Sequence, residues 1–173
     1  VLELSLREKG INAEVTLGDY DAIVQESNRF EDFNAVVIFW ELINLIDGLQ
    51  SNIYLMSQDE IDRLAKKVES EIDIVLRNTR NVPLVIINQF SASLIESSPL
   101  KQGPLDILGD HLNKVLRSKV ISTQVILNIN SILSNIGIDK SRDLRQFHTS
   151  KTLYTIDFFS ITFLIPIDFI SCP

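Results

Sequence analysis

One cysteine and two histidines in 173 residues leave little material for metal or disulfide chemistry. Cys172 has no CxxC partner, and with only His111 and His148 beside it the chain can build neither a disulfide framework nor a Cys/His zinc site. A reducing, cytoplasmic setting is therefore the expectation. Basic residues are scarce too: 16 Lys and Arg face 23 Asp and Glu, for a net charge of −7. A phosphate-binding surface would have to form against that field, which disfavours nucleic-acid partners. No run of 18 uninterrupted apolar residues occurs, and the opening VLELSLREKG is charged from its third residue, so neither a membrane-spanning helix nor a signal peptide is expected. GxSxG, GxGxxG and GxxxxGKS/T are all missing. With them go the hydrolase elbow, the dinucleotide fingerprint and the phosphate-cradling loop, and no cofactor or metal is expected.

What is present is a core. At 45% hydrophobic and 23% charged residues, the composition fits one globular domain rather than a disordered chain. The charge is uneven: residues 1–87 carry 8 bases and 16 acids, whereas residues 88–173 carry 8 and 7. No repeat, low-complexity tract or linker divides the chain, and the loop-like run Ser91–Pro104 reads as an excursion within the domain.

Val1–Lys9 has helical leucine spacing and stops at Gly10, a residue type that closes helices in the left-handed conformation; it reads as a helix whose beginning is missing. Ile11–Leu17 alternates and Asn34–Trp40 contains AVVIFW, so both read as strands. Asp59–Arg80 places Ile61, Leu64, Ala65, Val68, Ile72, Val75 and Leu76 on one helical face, with Ser57 as its N-cap. PLVIIN (83–88) and QVILNI (124–129) read as further strands, and Leu105–Lys119 as a helix between them. Alternating buried strands and helices argue for a parallel sheet flanked by helices.

In such sheets ligands sit beyond the carboxyl ends of the strands. The residues there are Glu41 and Asn44, Asn88 and Gln89, and Asn128 and Asn130. Their amides suit a polar ligand, and they suit equally well the bonding of nearby backbone. Asp143 and His148 are an acid and an imidazole close together in sequence, a pair able to serve as orienter and base in hydrolysis. A solvated loop is the alternative. Trp40, Phe39 and the C-terminal phenylalanines read as core, because no basic residues interleave with them as in a nucleic-acid stacking platform.

The segments VPLVIINQF, LGDHLNKVL, VILNINSILSNIG and DLRQFHTSKTLYT, in that order, resemble the N-terminal domain of FkbH-like proteins of the HAD-IIIC group. The resemblance implies an SGNH-hydrolase-like, flavodoxin-like three-layer α/β/α fold with a parallel five-stranded sheet. Asp143, Arg145, Phe147 with His148, Lys151 and Tyr154 stand where that group's last block has Asp-x-Arg, an aromatic pair, Lys and Tyr. Whole members continue into a phosphatase-like HAD domain that loads a glyceryl group from a phosphorylated glycerate onto an acyl carrier protein. The DxDxT motif of that domain is absent here, so the resemblance implies the accessory half.

That group's first strand precedes the helix at Val1, and the tail ITFLIPIDFISCP reads like it. The chain thus looks circularly permuted, with 161–173 supplying the central strand as one SGNH-like domain of residues 1–173, and with Pro173 beside Val1. Thr162–Ile167 would lie between the strands at Ile11–Leu17 and Asn34–Trp40. SGNH hydrolases end this strand in Gly-Asp-Ser; the nucleophile would fall near Phe169, and Ser171 lies two residues beyond it. Asp143 and His148 are five apart rather than in Asp-x-x-His. The expectation is a noncatalytic or weakly catalytic module that binds through Asn88, Asn128 and Asp168, with an acyl carrier protein or a HAD-type catalytic domain as partner. One alternative is an SGNH-type esterase using Ser171 or Ser91 with Asp143 and His148. The other is a homo-oligomeric scaffold.

Overall fold

A computed structural model of the chain describes residues 2–19, 21–96, 101–150 and 153–162. In chain order these form α1 (Leu2–Glu8), α2 (Ile23–Glu26), a 3-10 turn (Ser27–Asp32), β1 (Ala35–Ile38), a second 3-10 turn (Leu42–Asn44), α3 (Leu49–Asn52), α4 (Gln58–Asn78), β2 (Leu84–Asn88), α5 (Pro104–Lys119), β3 (Gln124–Leu127), α6 (Ile129–Ile136), α7 (Ile138–Ser141) and α8 (Leu144–Ser150). A helical stretch at 156–162 follows. The chain divides into two compact units, Gly18–Ile129 and the combination of Val1–Leu17 with Asn130–Pro173.

The first unit carries the sheet. β1, β2 and β3 pair in parallel in that order, with Val36 opposite Val85, Ile38 opposite Ile87, and Ile87 opposite Ile126. Right-handed crossovers that always step in one direction set both connecting helices on the same face. Accordingly α4 and α5 pack side by side, and Leu64, Val68, Ile72 and Val75 of α4 share one core with Leu105, Leu108, Leu112 and Leu116 of α5. Val36, Ile38, Val85 and Ile87 supply the sheet side of that core. Each fully buried aliphatic side chain favours the fold by about 2 kcal/mol over exposure. The α4 stripe read from spacing is the buried one, and its start is as expected. The Ser57 amide donates to the Glu60 carboxylate at 2.8 Å, which holds the Glu60 carboxyl below its ordinary range. Gln124 ties β3 to the end of α4, its Nε2 donating to the Leu76 carbonyl at 2.9 Å and to Thr79 Oγ1 at 3.1 Å.

The second unit is built from both ends of the chain. α1 closes at Gly10, whose φ of 78° lies in the left-handed region; there the Gly10 and Ile11 amides reach back to the Arg7 and Leu6 carbonyls. Further on, Arg142 and Tyr154 form an antiparallel bridge, and α8 sits between them. The Tyr154 and Phe158 rings stack at 4.2 Å, and Phe158 is buried, as the core reading expects of that residue.

Four expectations change. Ile11–Leu17 forms no strand: Ile11, Ala13 and Val15 are half-buried in alternation, but Leu17 is exposed and no ladder partner stands beside them among the described residues. Ile129 opens α6 instead of ending β3. The α/β class with a parallel sheet stands, while the described residues supply three strands where five were expected. Thr162, the expected start of a central strand, is helical, and 163–173 lie outside the described residues. Among the described residues no helix is long and apolar enough to cross a membrane.

Candidate functional site

The carboxyl edge of the sheet is organised by amide side chains. β1 ends at Ile38, so the backbone of Trp40 has left the ladder and needs other partners. Asn88, the last residue of β2, provides them: its Oδ1 accepts the Trp40 N–H, while its Nδ2 donates to the Trp40 and Gln89 carbonyls at 3.0 Å each. A carboxamide is a peptide group in miniature, able to donate and accept at once. Asn113 of α5 repeats the device on Phe90, accepting its N–H and donating to its carbonyl, both at 2.8 Å. The clamped Trp40 and Phe90 rings meet at 5.8 Å and 59°. Gln89 reaches along the edge, its Nε2 donating to Asn128 Oδ1 at 3.0 Å and its Oε1 accepting from Arg117 at 3.3 Å.

Glu41 follows Trp40 and differs in kind. Burial pushes its carboxyl up to about 7, against a lowering hydrogen bond from Asn44. Asn44 Nδ2 donates to Glu41 Oε2 at 2.6 Å. No ion pair to Glu41 forms among the described residues. Beside this turn lies a cleft of about 150 Å³ walled by Trp40, Asn44 and Leu45, by the 21–25 segment, and by Lys67 and Glu71 of α4. Near pH 7 the edge therefore offers a carboxyl able to give or take a proton.

No protein-family model and no curated protein matches the chain. A solved structure does. It is described as the N-terminal part of the protein BF1531 from Bacteroides fragilis, containing a phosphatase domain complexed with Mg, and it matches with a TM-score of 0.72 at 15% identity. The match covers 98% of this chain and 47% of that one, so the chain spans about half the length of the protein it matches. The likeness is one of fold. At that level it bears out the resemblance to the N-terminal domain of FkbH-like proteins.

The residues expected at a site have several fates. Asn88 and Asn128 stand at the carboxyl ends of neighbouring strands, joined through Gln89, with Asn88 wholly engaged by backbone. Asp143 belongs to the other unit, where its Oδ1 accepts the amides of Arg145 at 2.9 Å and Gln146 at 3.0 Å; it is the N-cap of α8. His148 lies within α8, and Asp168 and Ser171 fall outside the described residues. Ser91 Oγ accepts the Ser93 amide at 3.2 Å, a local turn contact. Among the described residues no three His, Cys, Asp or Glu side chains stand together as metal ligands.

Two organisers went unnoticed in the sequence. Asn113 is a polar residue inside the buried α5 stripe, one position after Leu112, and that interruption was the available signal. Glu96 is the other. Its carboxylate accepts the Asp106 amide at 3.2 Å and the Leu105 amide at 3.5 Å, capping α5, and it also accepts the Tyr54 hydroxyl. Gly103 lies so close that a Cβ there would stand 1.9 Å from Glu96 Oε2.

Proposed function

We propose that the chain is a noncatalytic or weakly catalytic SGNH-like binding module of the FkbH-like kind, working beside a phosphatase-type HAD domain and a carrier-protein-linked substrate. The fold likeness to a protein whose description includes a phosphatase domain, of which this chain spans about half, supports that reading. The observation that carries it is the state of the carboxyl edge. The amide of Asn88 holds the backbone of Trp40 and Gln89 at all of its described contacts, and the rival nucleophile Ser91 serves a turn. An acyl hydrolase needs a hydroxyl, a base and oxyanion donors in fixed mutual geometry, together worth several orders of magnitude in rate. In this reading Asn128 and Arg117, exposed at the edge beside Gln89, meet the partner's polar groups. Asp168, outside the described residues, is kept as a ligand residue on the sequence alone. The purified chain is expected to leave short-chain activated esters at the background rate and to bind a glyceryl-loaded acyl carrier protein by calorimetry. Ester turnover that His148→Ala abolishes would overturn the noncatalytic reading.

A further inference from the structure

Trp40 is 7% exposed, and its backbone is held by Asn88, yet its indole N–H donates to no acceptor among the described residues. A buried indole ordinarily finds such a partner. Nor is the nitrogen sealed away: the fully buried side-chain polar atoms that lack a bond among the described residues are the hydroxyls of Thr123 and Thr162. The indole therefore keeps access to the cleft that Trp40 helps to wall. The other polar walls divide by sign. Lys67 brings an ammonium held loosely to Glu71, at 3.6 Å, which is longer than a hydrogen bond. Asp21 brings an exposed carboxylate with no ion pair among the described residues. Its φ of 58° lies in the left-handed region, an uncommon conformation outside glycine and one that gathers at ligand sites. Asn44 spends its Nδ2 on Glu41, which leaves its Oδ1 as an acceptor. Donors, Lys67 and the indole, thus share one small space of the sheet-bearing unit with acceptors, Asp21, Glu71 and Asn44. A simple anion or a simple cation would satisfy one set and be repelled by charges of the other. A molecule with a carboxylate and an ammonium a few bonds apart satisfies both.

We propose that this cleft is a binding site for a small polar α-amino acid, whose carboxylate takes the Trp40 indole N–H and the Lys67 ammonium and whose ammonium takes Asp21 and Glu71. Drawing Lys67 from Glu71 costs little, since an ion pair this exposed is weak. The volume of about 150 Å³ admits the two charged groups and a short side chain. The site stands apart from the carrier-protein reading, because none of its residues is among Asn88, Asn128 and Arg117.

The chain carries its own probe, since Trp40 is its only tryptophan and its indole N–H gives a single NMR resonance. Titration of the isotopically labelled whole chain with glycine, alanine and serine in turn is expected to move that resonance to saturation with at least one of them. Acetate, ethylammonium and glycerol each carry part of the chemistry, and at the concentration where the amino acid saturates they should leave the resonance nearly still. Asp21→Asn and Lys67→Met, both at exposed side chains, should each weaken the amino acid by about tenfold, the loss of one charge-assisted hydrogen bond. The rest of each variant's spectrum checks that it is folded. Saturation by none of the three amino acids, equal movement with any of the three fragments, or full affinity retained in either variant overturns the proposal.

Discussion

The carboxyl ends of β1 and β2 are neighbours in one sheet, and they are finished differently. After β2, Asn88 and Asn113 each give a stranded stretch of backbone a donor and an acceptor, and both side chains are neutral at every pH the protein meets. After β1, the turn is closed by a carboxyl whose charge changes near neutrality. The first arrangement makes a rigid edge. The second makes an adjustable one, because its hydrogen bond and its desolvation penalty pull in opposite directions as the proton leaves.

The contrast is broken most severely by removing the clamp. Asn88→Leu keeps the side-chain volume but strands the N–H and carbonyl of Trp40, which is 7% exposed; two unsatisfied buried groups cost about 3 to 4 kcal/mol together. The expected readout is a large drop in the denaturant midpoint, at any pH between 5 and 9. A loss that varied strongly over that range would mean the clamp is not the pH-indifferent element it is taken for.

A smaller effect of opposite sign is expected at Glu41. Its carboxyl titrates at about 7 in the folded chain against an ordinary value of 4.5. Below about 4.5 it is protonated folded or unfolded, and it penalises neither state. As pH rises through the window the unfolded chain ionises first, so stability falls until about 7 and is then level. Glu41→Gln, which cannot ionise, should be more stable than the natural chain by on the order of 2 to 3 kcal/mol at pH 8. The gain should shrink to nothing near pH 4.5. An equal gain at both ends of the range would assign it to packing rather than to charge.

The long apolar periods were legible. Ile61 to Leu76 on α4 and the runs around β2 and β3 lie where their spacing puts them, because hydrophobic burial is written residue by residue. Ile11–Leu17 misled because alternation records which side of a segment is buried, and a strand also needs a neighbour to bond. In the sequence Asn88 reads equally as ligand group or organiser, and its bonds to the freed backbone of Trp40 come from a placement that only the fold supplies. The protonation of Glu41 was out of reach, since desolvation is a property of what surrounds a side chain in space. The smallest expected effect tests the remaining ambiguity, Asp143. As the α8 N-cap it should lose about 1 kcal/mol on Asp143→Ala, with Asp143→Asn restoring most of it. A much larger loss of binding or turnover with intact stability would return it to the site.

Helix starts attract anions, and α5 begins at the carboxyl side of the sheet, where phosphates are commonly held in folds of this kind. Here that seat has a resident. Glu96, nine residues before Leu105, places its own carboxylate on the Leu105 and Asp106 amides, and Gly103 leaves it room to lie flat against the chain. A dissolved phosphate would have to outcompete a tethered rival whose local concentration is on the order of millimolar. The position thus behaves like a lock with the key already turned, and substitution of Gly103 by any residue with a Cβ would be the chain's own way of pushing that key out.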